Sequence, residues 1–152
     1  MDLHGKLNSQ YSTALRSSCN KGGCTLVQNS LGSYRISIID EDHYRNISGC
    51  QGKLCDLLTF ITNPALFVVV AEMKTGNIRP KETALQIQNG AKESEKIVER
   101  PVVSKFVPVI VNGKIQHPND LRVLQTCRIR FRGTNYPILR RESGEQLAGL
   151  IL

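Results

Sequence analysis

The chain has 152 residues, with 20 Lys and Arg against 13 Asp and Glu, giving a net charge of +7 and a pI of about 9.4. This length is one domain by the usual prior, residues 1–152, and the charge reads as a footprint for a polyanion or as an ordinary basic surface. No run of about 18 apolar residues and no signal peptide is present, which excludes a membrane-spanning helix and predicts a cytoplasmic protein with no membrane partner.

Gly5 to Cys19 carries Leu7, Tyr11, Ala14 and Leu15 at helical spacing and predicts a helix closed by Lys21-Gly22-Gly23. Tyr34 to Ile39 alternates and reads as a strand with Tyr34, Ile36 and Ile38 on its apolar face. Asp40-Glu41-Asp42-His43 then reads as a solvated acidic turn, or as a cluster from which a metal site recruits, with His43 an exposed loop histidine or a base. Ser48 to Gly52 is a loop. Lys53 to Ile61 is a second strand, followed by the turn signal Thr62-Asn63-Pro64-Ala65. Phe67 to Ala71, with three consecutive valines, reads as a strand buried on both faces that runs into Glu72-Met73-Lys74 and stops at Thr75-Gly76.

Asn77 to Lys81 is a linker, basic through Arg79 and Lys81. Glu82 to Arg100 places Ala84, Ile87, Ala91 and Val98 along one helix face, flanked by Gln86 and Gln88, and Pro101 stops it. Val102-Val103 and Phe106 to Val111 form the last buried strand, closed by Asn112-Gly113; Pro108 within it marks an irregularity or an edge. Leu121 to Arg132 is basic. Arg128, Arg130 and Arg132 alternate with Ile129 and Phe131, as a phosphate-tracking stripe or as a solvated edge guarded by charge, and Arg140-Arg141 add to it. Helix, three strands, helix, strand is a mixed α/β layer fold: an antiparallel three-strand meander, then a helix crossing to a parallel strand.

Five cysteines are an odd number for a closed disulfide framework. Cys19 with Cys24 and Cys50 with Cys55 form two C-x4-C pairs; these read as reduced thiols, or as a structural zinc site without the usual tight spacing.

A hairpin centred on Pro64 sets Asp56, eight residues before it, against Glu72, eight after it. Opposed residues of an antiparallel pair share a face, so Lys74 joins them. Two opposed carboxylates need a cation between them, and a hard divalent ion suits their oxygens. The bland reading is a strand leaving the core with solvated charges.

Asp56, fifteen intervening residues and Glu72-Met73-Lys74 resemble the PD-(D/E)XK nuclease superfamily. Glu72-Met73-Lys74-Thr75-Gly76 is similar to the Asp-Tyr-Lys-Thr-Gly form of its RecB-like branch. That branch carries Gln-x-x-x-Tyr on the following helix; here Gln86 falls on the glutamine and Gly90 on the tyrosine. The resemblance spans about residues 54 to 98. Cys55 stands at the family proline, and Asp2 is the one acidic residue before Asp40, where the family often has a helical glutamate.

The resemblance implies a restriction-endonuclease-like core whose mixed central sheet is flanked by helices. It implies Mg2+ or Mn2+ held by Asp56, Glu72 and the Met73 carbonyl, with Lys74 and Gln86 completing the catalytic set. The expected function is a metal-dependent nuclease acting on DNA more readily than RNA, with Lys53, Arg79, Lys81, Arg128, Arg130 and Arg132 as nucleic-acid contacts. The alternative is a noncatalytic nucleic-acid-binding domain of the same fold. A homodimer and a place within a larger protein both stay open.

Overall fold

The structure is a computed structural model that describes residues 3–11, 18–21, 24–27, 35–62, 65–74, 77–99, 102–112 and 117–142. In chain order the elements are α1 (Leu3–Tyr11), β1 (Ser18–Lys21), β2 (Cys24–Val27), β3 (Arg35–Asp40), α2 (Glu41–Ser48), β4 (Leu57–Thr62) and β5 (Phe67–Lys74). They continue with α3 (Pro80–Val98), β6 (Lys105–Asn112), α4 (Pro118–Thr126), β7 (Arg128–Phe131), β8 (Thr134–Pro137) and β9 (Leu139–Glu142).

A five-stranded mixed sheet in the order β3-β4-β5-β6-β9 forms the centre. β3, β4 and β5 pair antiparallel, and β6 and β9 add in parallel. The class is α/β, with the meander and the parallel crossover in the expected places. The β4–β5 register pairs Leu57 with Ala71 and Ile61 with Phe67, which fixes the hairpin centre at position 64. Position 64 itself lies outside the described residues, as do the Thr75-Gly76, Pro101 and Gly113 stops.

Alternation along the strands divides the core between two faces. Leu58, Phe60, Val68, Val70, Phe106 and Ile110 pack with Ile87 and Ala91 of α3. Leu57, Val69, Ala71, Met73, Val107, Val109 and Val111 fill the other face. α3 forms where Pro80 supplies a first-turn residue without a needed N–H; Glu82 lies in its first turn and Lys96 in its last, matching the helix dipole. Among the described residues no helix is long and apolar enough to cross a membrane.

Several expectations are corrected. The first helix is Leu3–Tyr11, and Cys19 belongs to β1; residues 12–17 lie outside the described residues. The acidic turn is the start of α2. Asp40 accepts from the His43 N–H at 3.0 Å and caps that helix, and Gly49 closes it with φ 72°. His43 is half-buried, its Nδ1 2.8 Å from Asp40 Oδ1. The second strand starts at Leu57, one residue after Asp56. Pro108 sits in register with Val70 inside the sheet, but β9 pairs β6 only from Val109 onward, so at Pro108 the strand still has one neighbour.

Arg128–Phe131 does not join the central sheet. It forms a two-stranded ribbon with β8, turning at Arg132 (φ 49°) and Gly133 (φ 80°). Phe131 stacks on Phe106, ring centroids 4.2 Å apart, and anchors the ribbon to the start of β6. β9 was not foreseen as a strand.

Candidate active site at the end of the third sheet strand

The β4–β5 register continues to place Asp56 opposite Glu72. Asp56 Oδ2 accepts from the Met73 backbone N–H at 2.8 Å, so a side chain extends the ladder where the strand backbone ends. Glu72 is buried, 1% exposed, and neither carboxylate oxygen has a hydrogen-bond partner among the described residues. Lys74 Nζ stands 3.5 Å from Glu72 Oε2, at ion-pair rather than hydrogen-bond range.

Burial disfavours the Glu72 carboxylate most strongly. The Asp56 carboxyl facing it acts in the same direction, and Lys74 opposes them; the pKa rises to about 9. With no divalent ion beside it, Glu72 therefore keeps its proton at neutral pH.

Around this pair lies the amino-terminal half of α3. Glu82 pairs with Lys53 and stands 3.7 Å from Arg79. Lys53, Arg79 and Lys74 together hold the Glu82 carboxyl below its usual range, so these three cations share one neighbourhood. Lys81 is exposed in the same first turn. Asn89 Nδ2 donates to the Lys53 carbonyl. Gln86 lies between Glu82 and Asn89 on that helix stripe, half-buried, its Oε1 without a partner among the described residues.

Gly90, the position of the family tyrosine, packs on Cys55. A Cβ there would lie 2.3 Å from Cys55 Sγ. A side chain at 90 would have to push the Cys55 thiol aside. Cys55 is wholly buried and donates to the Leu57 carbonyl at 3.4 Å; burial, then the nearby Glu72, Asp56 and Glu41 charges, push its thiol pKa well up. A neutral, sealed thiol is a poor zinc ligand, since zinc takes thiolates. Cys50 points to the Gln51 carbonyl, and the side chains of Cys19 and Cys24 lie outside the described residues. Among the described residues no three His, Cys, Asp or Glu side chains group as metal ligands.

Arg128, Arg130 and Arg132 are exposed and alternate with buried Ile129 and Phe131, and two of the three side chains also bind backbone carbonyls. Arg128 donates to the Gln125 and Cys127 carbonyls at the end of α4, and Arg132 Nη2 donates to the Glu99 carbonyl at the end of α3. Arg130 is exposed. Gln88 explains the ribbon's position: its Nε2 donates to the Arg130 carbonyl at 2.9 Å, and its Oε1 accepts from the Arg130 N–H at 2.8 Å. That amide acts as one more strand residue along β7. Glu95 accepts from the Arg132 N–H. Glu95 is thirteen residues beyond Glu82, ~20 Å along the helix at 1.5 Å per residue, so the Arg132 end of the ribbon is remote from the carboxylate pair.

Two residues of the same sheet edge have roles other than those their sequence context suggests. Asn112, in register with Lys74, is 0% exposed; its Oδ1 accepts from Arg140 Nε at 2.8 Å. Its Nδ2 has no partner among the described residues, an omission that costs about 1–3 kcal/mol. Asn112 reads as a turn residue and Arg140 as part of a basic run; neither carries a motif.

Comparison with protein families, curated proteins and solved structures finds no match to this chain.

Proposed function

We propose that the chain is a divalent-metal-dependent nuclease that hydrolyses phosphodiester bonds of DNA, or of RNA, with a RecB-like PD-(D/E)XK site on a restriction-endonuclease-like core. The observation that carries this reading is Glu72: a buried carboxyl facing Asp56, whose oxygens have no hydrogen bond among the described residues and meet only the Lys74 ammonium at 3.5 Å. The donor set fits a hard cation in kind: two carboxylates, with the Met73 carbonyl as third ligand. Mg2+ or Mn2+ bound there offsets charge on the phosphate and eases deprotonation of water.

The chain's own residues do the rest. Glu72 would have to be ionised to hold such a cation together with Asp56. Lys74, half-buried beside it, orients the attacking water with its ammonium and balances the negative charge that develops as the water's proton passes to solvent. Gln86 directs its unmet Oε1 toward that water. Arg79 and Lys81 at the start of α3, with Lys53 beside them through Glu82, contact the nucleic-acid backbone, and Arg130 adds a more distant contact.

The test is incubation of labelled DNA and RNA with the protein, with and without Mn2+. Cleavage that requires Mn2+ and disappears in Asp56→Asn is expected; binding without cleavage under all conditions sinks the enzyme. A noncatalytic nucleic-acid-binding domain is the second reading, favoured by Gly90 at the family tyrosine and by the absence, among the described residues, of a third acidic ligand.

A further inference from the structure

The carboxyl-terminal edges of β5, β6 and β9 carry a second polar group set on the face that holds Glu72. Register puts Lys74 beside Asn112, and Glu72, Ile110 and Arg140 in one row across three strands. Ile138 packs with the core on this face and Leu139 with the other, so Arg140 returns to the side of Glu72. Asn112 spends its carbonyl on Arg140 Nε and keeps a buried amide nitrogen with no acceptor among the described residues. An apolar side chain closing the Val109-Ile110-Val111 run would avoid that unmet donor.

A buried N–H donor between an ammonium and a guanidinium is suited to an anion rather than to water or an apolar group. The guanidinium offers a planar fork that matches phosphate oxygens. We propose that Asn112 and Arg140 seat the phosphate group next to the carboxylate pair, with Asn112 Nδ2 and the Arg140 guanidinium donating to its nonbridging oxygens. This deepens the nuclease reading and rests on it for the phosphate being the one cleaved. One carboxylate opposes the seat: Glu142 Oε1 lies 3.5 Å from Arg140 Nη1, on a side chain 77% exposed. The phosphate displaces it toward solvent.

The test is the affinity of a fluorescein-labelled oligonucleotide in EDTA, where no cleavage occurs. Arg140→Ala is expected to weaken binding by about tenfold or more. Lys105→Ala, which removes one positive charge at the opposite end of β6, is expected to weaken it clearly less. Glu142→Gln is expected to tighten it. Titration of the parent with inorganic phosphate is expected to shift the Asn112 side-chain amide resonances, a readout that needs no variant. Equal affinities for Arg140→Ala and Lys105→Ala, or Asn112 amide resonances unmoved by phosphate, overturn the seat. A parent that never cleaves with Mn2+ while Arg140→Ala still loses affinity removes the nuclease and keeps the phosphate seat. A parent that cleaves, with Arg140→Ala binding and cleaving alike, keeps the nuclease and removes the seat.

Discussion

The β7–β8 ribbon and the carboxyl-terminal edge of β5, β6 and β9 are both rich in arginine and amide side chains, and they use them in opposite ways. In the ribbon, Arg128 and Arg132 satisfy carbonyls at helix ends, and Gln88 completes a strand edge. These groups hold the fold together. At the sheet edge, Glu72 and Asn112 are buried with polar atoms that nothing among the described residues satisfies. Folding is opposed there, and a bound ligand would relieve the opposition. Similar polar groups in a sequence thus separate according to whether a protein partner is waiting for them.

The largest expected effect is at Lys74. Lys74→Ala removes little buried apolar area and is expected to melt near the parent and still bind nucleic acid, while cleavage falls by about 10²-fold or more. A variant cleaving at the parental rate would reduce Lys74 to a solvated charge and erase the contrast with the ribbon.

Glu72 sharpens the contrast through pH. Its folded pKa of about 9 lies above the ordinary 4.5, so folding takes up a proton between those values. The stability that neutral Glu72 contributes is fully present below about pH 4.5 and declines as pH rises toward 9. Glu72→Gln is expected to flatten that decline and to be more stable than the parent at pH 8, by on the order of 1–3 kcal/mol. Thermal melts at pH 5 and pH 8 measure this; parallel slopes for parent and variant break it. Mn2+ should raise the parent's melting temperature at pH 8 and leave the variant's nearly unchanged.

Behind the pair, Gly90→Ala drives a Cβ into the Cys55 thiol and is expected to cost about 1–3 kcal/mol. In a Cys55→Ala background the same change should be neutral or stabilising, since alanine gains roughly 0.5–1 kcal/mol over glycine in a helix. Denaturant titration of the four combinations decides it.

The smallest effects belong to the ribbon. Arg130→Ala should reduce the slope of log affinity against log salt by about 1, and Arg128→Ala and Arg132→Ala should leave it unchanged. Gln88→Ala is expected to cost about 0.5–1.5 kcal/mol without altering cleavage. Equal slope changes for all three arginines would make them one continuous stripe.

The sheet centre and the Asp56–Glu72 apposition were legible because hairpin register follows from counting about the turn, and the valine run admits one burial pattern. Other elements leave weaker traces. Leu139–Glu142 contains two arginines and a glutamate, so β9 shows no apolar alternation; its place comes from the open side of β6. α2 looked like an acidic turn because Asp40, its cap, is followed directly by Glu41 and Asp42. Gln88 and Asn112 depend on partners forty-two and twenty-eight residues away, and local spacing carries no trace of them.

The sheet is closed on one side by the last described strand, and this sets an order of assembly. The meander, α3 and β6 can pair from the chain up to Asn112, whereas β9 arrives only with residues 139–142. Until then Val109, Ile110 and Val111 present an unpaired, apolar strand edge, the kind of template on which chains pair with one another. A growing or truncated polypeptide ending before Leu139 would carry Asp56, Glu72 and Lys74 together with that sticky edge. Residues 139–142 therefore cover the open edge of β6 as well as bringing Arg140 to Asn112.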